Sequence, residues 1–66
     1  MTQREIKERI LELKSNLYST DYKALQFAEK EITESEFEPI RQKRKQWRIE
    51  INDLEKLLEV DNETNN

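Results

Sequence analysis

Residues 33–59 read TESEFEPIRQKRKQWRIEINDLEKLLE, and the spacing inside this run decides the fold. Phe37, Ile40, Arg44, Trp47, Ile51, Leu54 and Leu58 recur at alternating intervals of three and four. On a helix that spacing lines them along one face, the pattern of a helix that wraps against a partner. The same run marks where the helix begins. Thr33 and Glu36 have the spacing of a capping box, and Ile32 and Phe37 that of a hydrophobic staple. Glu34 and Glu36 add negative charge at the positive end of the helix dipole. Pro39 stands one turn further in, where it removes a hydrogen bond and either bends the helix or restarts it. The long helix is expected over 34–59. Asp61 to Asn66 contain no apolar residue, so 60–66 are expected to form a disordered tail.

Towards the N-terminus the chain supplies a partner for this seam. Thr2 and Glu5 again have capping-box spacing, and Ile6, Ile10, Leu13 and Leu17 follow at intervals of four, three and four. A first helix is expected over 3–18. Set antiparallel, it places Leu17 near Trp47, Leu13 near Ile51, Ile10 near Leu54 and Ile6 near Leu58, four layers in one register. Ser19-Thr20-Asp21 are three successive residues of N-cap type and predict a break. Beyond them a short helix is expected over 21–31, with Leu25, Ala28 and Ile32 on its packing face. The expected fold is therefore all-α: one helical domain over 1–59, an antiparallel, coiled-coil-like helical hairpin with a short crossing helix between its two long ones.

Composition narrows the chemistry. The 66 residues include no Gly, Cys or His, and 41% are charged with a net charge of −3. Without Cys and His there is no thiol nucleophile, imidazole base or disulfide, and the usual zinc ligands are missing. Glycine-rich phosphate loops are excluded as well. Paired carboxylates on a solvated helix lack the pocket that separates the pKa values of an acid and a base. The expectation is a non-enzymatic chain with no cofactor, no metal and no small-molecule substrate. Apolar residues never run more than two together, so no membrane span is expected. The N-terminus lacks the apolar stretch of a signal peptide, which predicts a cytosolic protein.

Two groups of residues are candidates for contacts with other molecules. The first is the basic block Arg41, Lys43, Arg44, Lys45 and Arg48, with Trp47 inside it. A basic helix invites comparison with DNA-binding helices. However, five acids between Glu29 and Glu38 lie directly upstream and would repel phosphate, so nucleic acid is the weaker alternative. Trp47 sits on the seam and reads as core, or else as an anchor for a partner. The second group is Leu11, Ile49 and Leu57, which fall off the seams and are candidates for an oligomer interface. A core this small is expected to be marginal in a single chain, which favours a homo-oligomer. The alternation of acidic, basic and acidic blocks along residues 29–63 suggests that an antiparallel copy, or the acidic middle segment, faces the basic block.

Three runs carry a resemblance. They are STDYKALQFAE at 19–29, EFEPIR at 36–41 and RKQWRIEINDLE at 44–55. Together they resemble a small module of phage and prophage proteins with the pattern TDYKAxKYAEG…EEEYAPIKAQRQAWRDEINxLE. The likeness covers residues 13–55. The module often has glycine after YAE where this chain has Lys30, which predicts a more helical turn here. It brings no defined activity and no site residues. What it implies is a phage or prophage origin, with a place in the virion, such as the tail, or in the cytoplasm of a bacterial host. The partner would then be another copy, a phage protein or a host protein.

Overall fold

The computed structural model describes the backbone of residues 1–65 and the side chains of residues 1–58. Two helices, α1 (Gln3–Ala28) and α2 (Glu34–Asn65), pack antiparallel as a hairpin. The molecule measures 48 × 17 × 14 Å. Its long dimension is what a 32-residue helix rising 1.5 Å per residue spans.

Both helix starts are fixed by reciprocal caps. The backbone N–H of Glu5 donates to Thr2 Oγ1 at 3.1 Å, and the Thr2 N–H donates to Glu5 Oε1 at 3.0 Å. Thr33 and Glu36 repeat the arrangement at 3.1 and 3.0 Å, so the capping box marks the first residue of α2. α2 then runs through Pro39 without a restart. The tail expected over 60–66 falls on residues whose side chains, and at Asn66 the backbone too, lie outside those described.

The core is the expected four-layer seam. Ile6, Ile10, Leu13, Ile51 and Leu54 are buried together, and Leu17, Trp47 and Leu58 pack against them half-buried. Leu13 is fully enclosed. Ion pairs flank the seam. Arg9 reaches across to Glu50 with two parallel hydrogen bonds, Nε to Oε2 at 2.7 Å and Nη2 to Oε1 at 3.2 Å. This bidentate geometry fixes the relative height of the helices as well as adding attraction. Lys14 approaches Glu55 at 3.7 Å.

The expected break at residues 19–21 is overturned. Among the described residues there is no crossing helix, because α1 continues unbroken to Ala28. The hydroxyls that predicted a restart turn back into the helix instead. Ser19 Oγ donates to the Asn16 carbonyl at 2.9 Å, and Thr20 Oγ1 lies within hydrogen-bond reach of the Asn16 and Leu17 carbonyls at 2.9 and 3.0 Å. Such back-bonding satisfies Ser and Thr inside a helix without ending it.

The packing face beyond Leu17 also differs from the expected one. Leu25 is 56% exposed and Ala28 is exposed, while Thr20, Ala24 and Phe27 turn partly inward. The intervals from Leu17 onward are three, four and three, so the seam of α1 simply continues. It ends where the ring of Phe27 stacks on buried Phe37, with centroids 4.7 Å apart and planes within 8°.

The turn at residues 29–33 corrects the reading of Lys30. Lys30 takes φ of 64°, the left-handed conformation that glycine adopts freely. Its N–H donates to the Phe27 carbonyl at 3.0 Å, and the Glu31 N–H donates to the Gln26 carbonyl at 2.8 Å. These two bonds make a Schellman motif with lysine in the glycine position. The turn is not more helical for lacking glycine.

Candidate functional site

The hairpin's polar centre lies midway along it, where the apolar layers give way to Arg44. The alternation that places Trp47 and Ile51 inward does the same to Arg44, and its side chain is only 13% exposed. Its guanidinium makes three hydrogen bonds, all to α1. Nη1 donates to the Leu17 carbonyl at 2.8 Å and to Thr20 Oγ1 at 2.7 Å, and Nη2 donates to Asp21 Oδ1 at 2.9 Å. Arg44 therefore ties down Thr20 and Asp21, two of the three residues at which a break was expected.

Arg41 is engaged one turn away. It pairs with Glu38 at 2.6 Å and with Glu34 at 3.7 Å. Its guanidinium carbon also lies 5.1 Å from the Phe27 ring centroid and 5.5 Å from that of Phe37, within cation–π range. Acids from both helices, Asp21, Glu34 and Glu38, thus neutralise part of the basic block inside a single chain.

The remaining basic residues are placed differently. Lys43, Lys45 and Arg48 are exposed and make no ion pair among the described residues. Trp47 is half-buried and packs on the core cluster. The six interaction candidates thus divide evenly: Arg41, Arg44 and Trp47 hold the hairpin together, and Lys43, Lys45 and Arg48 face outward. Thr20, Asp21 and Phe27, which the sequence reading left out, belong with the first three. The signal for Thr20 and Phe27 was the uninterrupted spacing after Leu17.

The oligomer-interface candidates are all on the surface, Leu11 at 67%, Ile49 at 45% and Leu57 at 50% exposed. Tyr18, Tyr22 and Leu25 are exposed as well. Beside Leu11 an open groove of about 330 Å³ is lined by Lys7, Ile10, Leu11, Lys14, Glu55 and Leu58.

The acid–base character of these helices comes from caps and pairs at the surface. The Thr2 backbone and hydroxyl hold the Glu5 carboxyl below its ordinary range, and the Thr33 backbone and hydroxyl do the same to Glu36. Hydrogen bonding between Arg9 and Glu50 lowers the Glu50 carboxyl and raises the Arg9 guanidinium. Each shift favours the charged form, so these groups serve as fixed charges, the opposite of what a proton-transfer group requires. Among the described residues no group of three or more acids is arranged to hold a metal ion. Among the described residues, no helix is long and apolar enough to cross a membrane. Compared with protein families, with curated proteins and with solved structures, the chain finds no match.

Proposed function

We propose that this chain is a non-enzymatic protein-interaction module, encoded by a phage or prophage, that works by self-association and serves a virion part such as the tail. The observation that carries the reading is the distribution of apolar surface. Six hydrophobic residues are buried among the described side chains, whereas Leu11, Tyr18, Tyr22, Leu25, Ile49 and Leu57 remain largely exposed. A two-helix hairpin buries only one stripe of each helix, and a domain of this size is marginal without a further contact. The resemblance over residues 13–55 supports the phage origin. Light scattering across a concentration series tests self-association directly: a mass above that of one 8.1 kDa chain is expected, and a strict monomer at high concentration would sink it.

A second reading rests on Lys43, Lys45 and Arg48, three exposed cations within two turns of α2 that lack acidic partners among the described residues. They suit an acidic patch on a host protein, with nucleic acid the weaker alternative. Replacing all three by Ala separates the possibilities. Loss of one captured host protein would favour a small regulator that binds a host protein through the basic block and Trp47. Loss of salt-dependent binding to random duplex DNA would favour nucleic acid.

A further inference from the structure

Because α1 is unbroken, it carries a second apolar stripe that a break at residues 19–21 would have divided. Leu11, Tyr18, Tyr22 and Leu25 follow at intervals of seven, four and three, which places them in one line along the helix. The line lies away from Ile6, Ile10, Leu13 and Leu17, and its members are 67%, 81%, 63% and 56% exposed. It extends about 21 Å along the axis at 1.5 Å per residue. Two tyrosines and two leucines, covered on two chains, amount to on the order of 1,000 Å² of buried surface, the lower bound for a specific interface.

The order of residues in the stripe says what covers it. Leu11 and Leu25 stand seven residues either side of Tyr18, so reversal about Tyr18 sets Leu11 against Leu25 and Tyr22 against Lys14. In a two-fold contact each residue meets the partner's residue at the mirrored position, and here that brings the two leucines together. The charges at its border agree. Lys14 precedes Tyr18 by four residues and Asp21 follows it by three, so reversal brings opposite signs to within one residue of each other. Both side chains are more than half exposed beyond their pairs with Glu55 and Arg44. The groove beside Leu11, lined by Ile10 and Leu58, lies where an incoming leucine would be received. On α2, by contrast, Ile49 and Leu57 stand eight residues apart with no exposed apolar residue between them.

We infer that the outer face of α1 is a homodimer interface. A second copy lies antiparallel against it, with Tyr18 at the two-fold axis and Leu11 against Leu25 of the partner subunit. This rests on the proposed self-association and specifies its surface and its geometry.

The chain has no cysteine, so single cysteines report the geometry cleanly. Under mild oxidation, Tyr18→Cys chains should form disulfide dimers with themselves. Leu11→Cys and Leu25→Cys chains should cross-link with each other in preference to themselves. A second measurement uses charge: Tyr18→Glu, at a highly exposed position, should keep the wild-type helical circular dichroism and weaken dimerisation by more than about a hundredfold. If wild type self-associates while Tyr18→Glu does so equally well, the α1 interface is wrong and self-association stands. If Leu11→Cys and Leu25→Cys each prefer themselves, the antiparallel arrangement is overturned. A wild type that stays monomeric removes the underlying reading together with this one.

Discussion

Arg44 shows how one side chain can decide the course of another helix. A guanidinium at a seam position cannot be left unpaired against apolar neighbours, because desolvating a charge without partners is costly. Its hydrogen bonds to the Leu17 carbonyl, Thr20 and Asp21 remove that cost only if residues 17–21 stay helical and face α2. Hydrogen bonds to a charged group contribute about 1.5–3 kcal/mol, so Arg44→Met should destabilise the hairpin by about 2 kcal/mol in a urea titration. Thr20→Val should cost less, and the double variant should fall short of the sum by at least about 0.5 kcal/mol. Strict additivity would show that Arg44 and Thr20 do not act together. Lys30 is the opposite case, a residue at odds with its own backbone. A lysine at φ of 64° carries steric strain that glycine avoids. Lys30→Gly loses some of that advantage to the freedom of glycine in the unfolded chain, leaving an expected gain of about 0.5–1 kcal/mol. A lower thermal midpoint for Lys30→Gly would mean that the lysine side chain contributes something the turn requires.

The helices themselves are held at their ends by caps and at mid-height by ion pairs, and both depend on ionised carboxylates. Glu5 and Glu36 are lowered by hydrogen bonds from the Thr2 and Thr33 caps, and Glu50 by Arg9. A carboxyl whose folded pKa lies below its unfolded one stabilises the fold above the unfolded value, and this is lost as pH falls through the folded one. The thermal midpoint should therefore hold steady from neutral pH down to about the ordinary carboxylate value of 4.5 and fall below it. The variant carrying Glu5→Gln, Glu36→Gln and Glu50→Gln should begin lower and show a shallower acid fall. An equally steep fall would assign acid sensitivity to other carboxylates. The same caps explain which elements were legible in the sequence. Two capping boxes and four apolar layers are local patterns, and starts, orientation and register of the helices followed from them. The end of α1 was not legible, because Ser19-Thr20-Asp21 carry a local signal for a break that a contact more than twenty residues away overrides. The same signal misplaces Leu25, since a new helix would reset the phase of the pattern and turn Leu25 inward, whereas it is exposed. With the phase kept, the spacing already pointed to Thr20, Ala24 and Phe27, although a threonine on a seam is easily passed over. Lys30 in a left-handed turn could not be read at all, because the residue type argues against the conformation it adopts.

At the scale of the whole molecule, burial is one-sided, and two leucines on the same helix should therefore answer to different measurements. Leu13 is fully enclosed and Leu11 is 67% exposed, only two residues away. Leu13→Ala opens a cavity in a core of a few side chains and should cost about 2–5 kcal/mol, a large part of the stability of any small domain. Its helical signal should be much reduced at every concentration. Leu11→Ala leaves that core intact and removes surface from the outer stripe, so its cost appears only where that stripe is covered. Association that favours the folded state raises the midpoint with chain concentration. Wild type should accordingly melt at higher temperature as concentration increases, while Leu11→Ala should keep a cooperative melt with a weaker dependence. The decisive comparison is at low concentration, where dimers dissociate: there the Leu11→Ala midpoint should converge on that of wild type, and the Leu13→Ala midpoint should not. If Leu11→Ala remains lower by the same margin at all concentrations, Leu11 supports the monomer through the groove it shares with Ile10 and Leu58. In that event the outer face of α1 contributes to the fold of one chain rather than to its contact with another.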